Sequence, residues 1–184
     1  MNDGWHAHLE RTLTQVWQRL GRGVADRHAA ARYVTLATVG KAGPETRIVV
    51  LRACDRERAN LEFHTDKASA KVSEITDTAT VSLLVWDARA QFQIRMRGKA
   101  TLEAGGAEAF AQLPETAQRV YGGTPPPGSK LARPEDHDPA PNPDRFMRIL
   151  VSLENIETLH LGKDLHHRAL FQRQDSWTGT WLTP

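Results

Sequence analysis

Four stretches of this sequence gather side chains able to hold an anion. Thr46-Arg47-Ile48-Val49-Val50-Leu51-Arg52 is a β-branched run with an arginine near each end. Leu61 to Lys71 brings His64, Thr65, Ser69 and Lys71 close together in the chain. Val81-Ser82-Leu83-Leu84-Val85-Trp86 and Gln91-Phe92-Gln93-Ile94-Arg95-Met96-Arg97-Gly98 follow. An arginine fork donates two parallel hydrogen bonds to a phosphate. Ser69 and Lys71 fall in the first turn of a helix expected over 68–75, where unpaired backbone N–H groups and a partial positive charge favour phosphate. An ordinary capped surface helix is the alternative for that segment. The chemistry in view is therefore recognition of a phosphorylated small molecule.

Other chemistries find less support. Cys54 stands alone, which excludes an intrachain disulfide and argues against a cysteine metal site. It reads as a strand residue rather than a nucleophile. His160, His166 and His167 match no zinc spacing and read as surface histidines, so no metal is expected. There is no Gly-x-Gly-x-x-Gly, no P-loop and no Gly-x-Ser-x-Gly elbow.

The elements that must position these residues are mostly strands. Asn2 or Asp3 is expected to cap a first helix, in which Trp5, Leu9, Leu13, Val16, Trp17 and Leu20 form one apolar stripe and Gly21 and Gly23 end the helix. Strands are expected over 32–39, 46–53, 61–65, 80–86, 91–102, 146–159, 168–174 and 177–182. In 91–102, Gln91, Gln93, Arg95 and Arg97 share one face and Phe92, Ile94 and Met96 the other. Arg47 and Arg52 have opposite parity, which calls for a strand bulge or a ligand held between subunits. Residues 105–121 read as helical with a break at Pro114. A proline-rich loop over 122–144 follows. Hairpins dominate, which favours a closed antiparallel barrel. The expected fold is mainly β with flanking helices, in a single domain over 1–184: an N-terminal helix in 1–22, the loop at 122–144 and C-terminal strands in 146–184.

Composition sets the outer bounds. The chain has 184 residues, 40% hydrophobic and 25% charged, with a formal net charge of +2. So small a charge gives no footprint for nucleic acid. No apolar run approaches the ~18 residues of a membrane span. The N-terminus is polar, unlike a signal peptide, and with one cysteine this points to a cytoplasmic protein.

The order of the four stretches resembles the pyridoxamine 5'-phosphate oxidase-like family of FMN-binding split barrels. The family pattern is Arg-x-Val-Leu-Leu-Lys, aromatic-Tyr-Thr-Asn-x-x-Ser-x-Lys, Leu-Leu-x-x-Trp and Arg-Gln-Val-x-x-x-Gly. The likeness resumes in 151–157 and His166-His167-Arg168. It implies a split antiparallel barrel, an FMN cofactor and a homodimer with FMN at the subunit interface. The cofactor-binding positions carried over are Arg47, Ile48, Val49, Val50, Leu51, Arg52, His64, Thr65, Ser69, Lys71, Gln93 and Arg168. Arg52 stands for a lysine, His64 for a tyrosine, and Leu159 for a flavin-packing tryptophan. The substrate side departs from the pattern: Phe110 replaces a tyrosine, no arginine precedes Arg119 in that helix, and Asp164-Leu165-His166 replaces Arg-x-His. His166 remains as the candidate catalytic base. The resemblance implies an FMN-dependent oxidoreductase acting on a small amine or alcohol; a flavin reductase, or a non-catalytic flavin- or haem-binding dimer, is the alternative.

Overall fold

Alternating apolar residues build the sheet, because each inward side chain is followed by one facing solvent. In the computed structural model, which describes residues 4–184, the strands are β1 (Tyr33–Gly40), β2 (Gly43–Asp55), β3 (Asn60–Asp66), β4 (Thr80–Asp87), β5 (Phe92–Ala104), β6 (Phe146–His160), β7 (His167–Gln172) and β8 (Gly179–Leu182). Their order is β3-β2-β1-β4-β5-β6-β7-β8, and β3 also pairs with β6. That pairing closes β1 to β6 into a six-stranded antiparallel barrel, while β7 and β8 extend from β6 outside the ring. The inward residues include Leu36, Leu51, Phe63, Ile94, Met96 and Ile149, none more than 2% exposed. Each such side chain contributes about 1.5–3 kcal/mol by leaving water.

Helix α1 (Leu9–Ala25) buries Val16, Trp17 and Leu20 and packs against β2 and β8. It runs past Gly21 and Gly23, the glycines expected to end it. Gly23 is a packing residue: a Cβ there would lie 2.5 Å from the Ala31 carbonyl oxygen, so only glycine lets the helix approach so closely. The expected cap at Asn2 or Asp3 lies outside the described residues; α1 itself starts after His8, behind a 3-10 turn over Trp5–Ala7. Helix α2 (Ala70–Asp77) begins two residues later than expected and packs on β1 and β5. Gln91 leaves the polar row of β5: its φ is 49°, and its side chain closes the β4–β5 turn by donating to the Ala88 carbonyl at 2.7 Å.

The region after β5 holds α3 (Ala107–Ala111) and α4 (Glu115–Gln118), broken at Pro114 as expected. The proline-rich loop is tied to the barrel through Asp66. That buried carboxylate accepts the Gly122 amide at 2.9 Å, the Ala68 amide at 2.7 Å and Arg145 Nε at 2.8 Å. No helix is long and apolar enough to cross a membrane among the described residues.

Candidate functional site

The sequence-predicted residues fall into three groups. The first lies at the barrel mouth under α2. Arg47 is the cross-strand partner of buried Leu36, so its side chain emerges on the inner face beside Thr38. Thr65 is likewise inward and 4% exposed, and its hydroxyl meets Ser69 Oγ at 3.0 Å and Lys71 Nζ at 3.1 Å. Ser69 is the N-cap residue of α2, yet its side chain makes no capping bond, which leaves it turned toward Thr65. Burial pushes the Lys71 ammonium below the usual lysine range, and the nearby Arg47 charge pushes the same way; Glu74 and Asp66 pull it back.

Glu74 is the residue that sequence reasoning missed here. Its carboxylate accepts from Arg47 at 2.7 Å and from the Thr38 hydroxyl. Arg47 is therefore a neutralised cation rather than a free one. Asp66 is likewise balanced by Arg145. Lys71 is the one cation of the group without a carboxylate partner, and it sets the net charge of the cluster. A helical spacing of three from Lys71 to Glu74 was the available signal, since such residues share one helix face.

The second group surrounds Arg52. The β2–β3 register shifts between Leu51 and Ala53, so the bulge foreseen from parity sits at Arg52 itself. Arg52 faces the Tyr121 hydroxyl, and its Nε is buried with no hydrogen-bond partner. Burial raises the Tyr121 phenol while Arg52 opposes the shift. His64 stands nearby, with Nε2 on Glu62 at 3.0 Å, Nδ1 buried and unpartnered, and its ring edge-on to Phe146 at 4.9 Å. Burial pushes the His64 imidazole below its usual range, so it is neutral at pH 7. Arg148 holds Glu62 in place at 2.6 Å. Phe110 packs with Tyr121 and Phe146 in a small aromatic cluster, so it serves packing. Tyr121 carried no motif and was not picked out. Along β2, Val49 and Leu51 are buried, and Ile48 is 62% exposed.

The third group is on the outer face. Trp86, Gln93, Leu159 and Arg168 are successive cross-strand partners on β4, β5, β6 and β7, so their side chains form one row. The Gln93 amide has no side-chain hydrogen bond. Gln93 borders an open groove of about 710 Å³ that also meets Arg95, Glu157, Leu84 and Leu170. Arg168 is held by Glu157 at 2.9 Å. His166 lies exposed on the β6–β7 turn, two residues before Arg168, and the structure does not bring it to the Lys71 cluster. Burial, with Asp55 adding to it, pushes the Cys54 thiol up to about 11, so it is protonated and not nucleophilic at neutral pH.

These donors fit a flavin mononucleotide. Two hydroxyls, an ammonium and a helix start with open amides suit a phosphate. The orphaned Arg52 Nε is a buried donor awaiting an acceptor, which a ring carbonyl of the flavin would supply.

Comparison with known proteins agrees. Residues 4–104 match the family model described as pyridoxamine 5'-phosphate oxidase, FMN-binding domain. A pyridoxine/pyridoxamine 5'-phosphate oxidase of Chromohalobacter salexigens is 36% identical over 110 residues, covering 58% of this chain and 49% of that protein. The chain thus spans about half the length of the curated relative it matches. Two solved structures share the fold. One is a pyridoxamine 5'-phosphate oxidase-related, FMN-binding protein of Nostoc punctiforme, with TM-score 0.76 and 23% identity over 93% of this chain and 96% of that one. The other is PhzG of Burkholderia lata, solved with tetrahydrophenazine-1-carboxylic acid, with TM-score 0.72 and 21% identity over 94% and 91%. The matched segment contains β1 to β5 and α2, and so every residue of the Lys71 cluster except Arg145. On this ground the chain belongs to the pyridoxamine 5'-phosphate oxidase FMN-binding domain family, with FMN as its cofactor.

Proposed function

We propose that this protein is an FMN-dependent oxidoreductase of the pyridoxamine 5'-phosphate oxidase-like type, acting on a small amine or alcohol as a homodimer. The supporting observation is the split of its polar residues between two faces of one sheet. Lys71, Thr65, Ser69 and Arg47 lie inward under α2, whereas Gln93 and Arg168 lie on the outer row. One chain offers two half-sites, and a second copy completes each of them.

Lys71, Thr65 and Ser69 would hold the phosphate, with Arg47 kept in position by Glu74. Arg52 would donate from Nε to the ring edge, and its positive charge there favours the electron-rich form of the ring. Neutral His64 would border the ring without adding charge. Gln93 and Arg168 of the second copy would complete the enclosure. When bound, FMN would supply the two-electron hydride chemistry. His166 is the proposed base, placed on an exposed turn free to meet substrate. Arg52 and Tyr121 form a polar pair within the aromatic cluster that would position the substrate's polar group.

The test is anaerobic mixing of the FMN-loaded protein with pyridoxamine 5'-phosphate, pyridoxine 5'-phosphate and simple amines and alcohols. Loss of flavin absorbance with one of these and no added nicotinamide supports the proposal. Bleaching only by NADH or NADPH makes the protein a reductase, and bleaching by none removes the oxidase reading.

A further inference from the structure

The barrel end opposite the Lys71 cluster carries a feature that flavin binding leaves unused. His6, in the 3-10 turn before α1, His160 at the end of β6 and His167 at the start of β7 each bring a ring nitrogen within 4.8 Å of the other two. His160 and His167 are direct cross-strand partners, so their side chains leave the same face of the hairpin. His6 stacks on His160 with ring centroids 4.2 Å apart. Spacing within 160–167 hides this group, because its third member lies more than 150 residues away in the chain.

Three further observations bear on its chemistry. Nδ1 of all three rings is buried without a hydrogen-bond partner, an unusual cost for one small cluster. The neighbouring cation, Arg19, is itself neutralised by Asp87 at 3.1 Å. Trp5 and Trp181 wall the cluster, at 5.3 Å from His160 and 6.0 Å from His167.

We propose that His6, His160 and His167 form a binding site for a divalent first-row transition ion of the kind imidazole favours, such as zinc. Three imidazole nitrogens and no carboxylate or thiolate select against magnesium and calcium. Tetrahedral zinc with bonds of about 2.0–2.1 Å needs nitrogens about 3.4 Å apart, so the rings must close by roughly 1.4 Å and His6 must turn out of its near-parallel stack on His160 for both lone pairs to meet the ion. The fourth position is left to water. The ion would clamp the segment before α1 to the β6–β7 hairpin. This site is independent of FMN, since Arg168 points to the opposite face of β7 from His167.

The test uses the full chain without a polyhistidine tag, titrated with Co2+ and then Zn2+. Expected are one ion per chain, the visible bands of nitrogen-ligated cobalt, their loss on adding zinc, and quenching of tryptophan emission by Co2+. His160→Ala and His167→Ala should each weaken binding at least ~30-fold, while His166→Ala should leave it within twofold. His6→Gln, in the short turn outside the barrel, serves where a strand variant fails to fold. Binding weaker than ~1 mM, or unchanged in His6→Gln and His167→Ala, would overturn the proposal and leave a ring stack only.

Discussion

Replacing Lys71 with Met should weaken FMN binding and yet leave the apo-protein as stable or more so. The cluster holds two balanced pairs, Arg47 with Glu74 and Arg145 with Asp66, and Lys71 is its one surplus charge. Lys71→Met therefore takes the local charge from +1 to zero. Two charges ~4 Å apart interact by about 4 kcal/mol at an effective dielectric of ~20, an upper figure for a side chain that is only partly buried. A charge-assisted hydrogen bond has a net value of about 1.5–3 kcal/mol. With tenfold in Kd for each ~1.4 kcal/mol, the loss is about 10- to 150-fold. Stability moves the other way, because burial opposes the charged ammonium in the folded state and Met removes that cost. The assay is quenching of flavin fluorescence by apo-protein, with Tm measured beside it. A Kd within twofold of the parent, or a weaker Kd accompanied by a large fall in Tm, would refute the assignment of Lys71 to the phosphate.

Other perturbations separate the surrounding groups. Glu74→Gln frees Arg47, so FMN should bind ~5- to 50-fold tighter by the same charge arithmetic, while the unpaired guanidinium costs about 1–3 kcal/mol of stability in chemical denaturation. Asp66→Ala removes the anchor of the Gly122 amide and Arg145; the 122–144 loop should become sensitive to limited proteolysis, with stability falling by about 3–5 kcal/mol. The folded His64, His160 and His167 imidazoles lie below the ordinary imidazole value of about 6.5, so the unfolded chain takes up protons first as pH falls. Stability should hold above that value and decline as pH drops from it through the lower folded values. His64→Asn should flatten part of this slope in urea titrations from pH 7.5 to about 5.

Strand alternation made the barrel legible, because β-branched runs with period-two burial state which residues turn inward. Parity also exposed the conflict between Arg47 and Arg52, which the bulge at Arg52 resolves. Gly23 misled, since a glycine that ends a helix and one that permits close packing look alike in sequence; only the Ala31 carbonyl distinguishes them. The phosphate cluster was half visible. Ser69 and Lys71 sit in a short motif, but the ion pair of Glu74 with Arg47 spans 27 residues and depends on how α2 lies over β1. Tyr121 and His6 were hidden for the same reason: each acquires its neighbours only when distant strands and turns close around it.

A flavin held between two subunits makes chains and cofactors travel together in equal number. Native mass spectrometry of the protein loaded with FMN measures this directly. A species of two chains carrying two FMN, which drops to cofactor-free chains with Lys71→Met at low FMN, is the predicted result. A single chain that binds one FMN at full affinity, or a protein that takes up none, would contradict it.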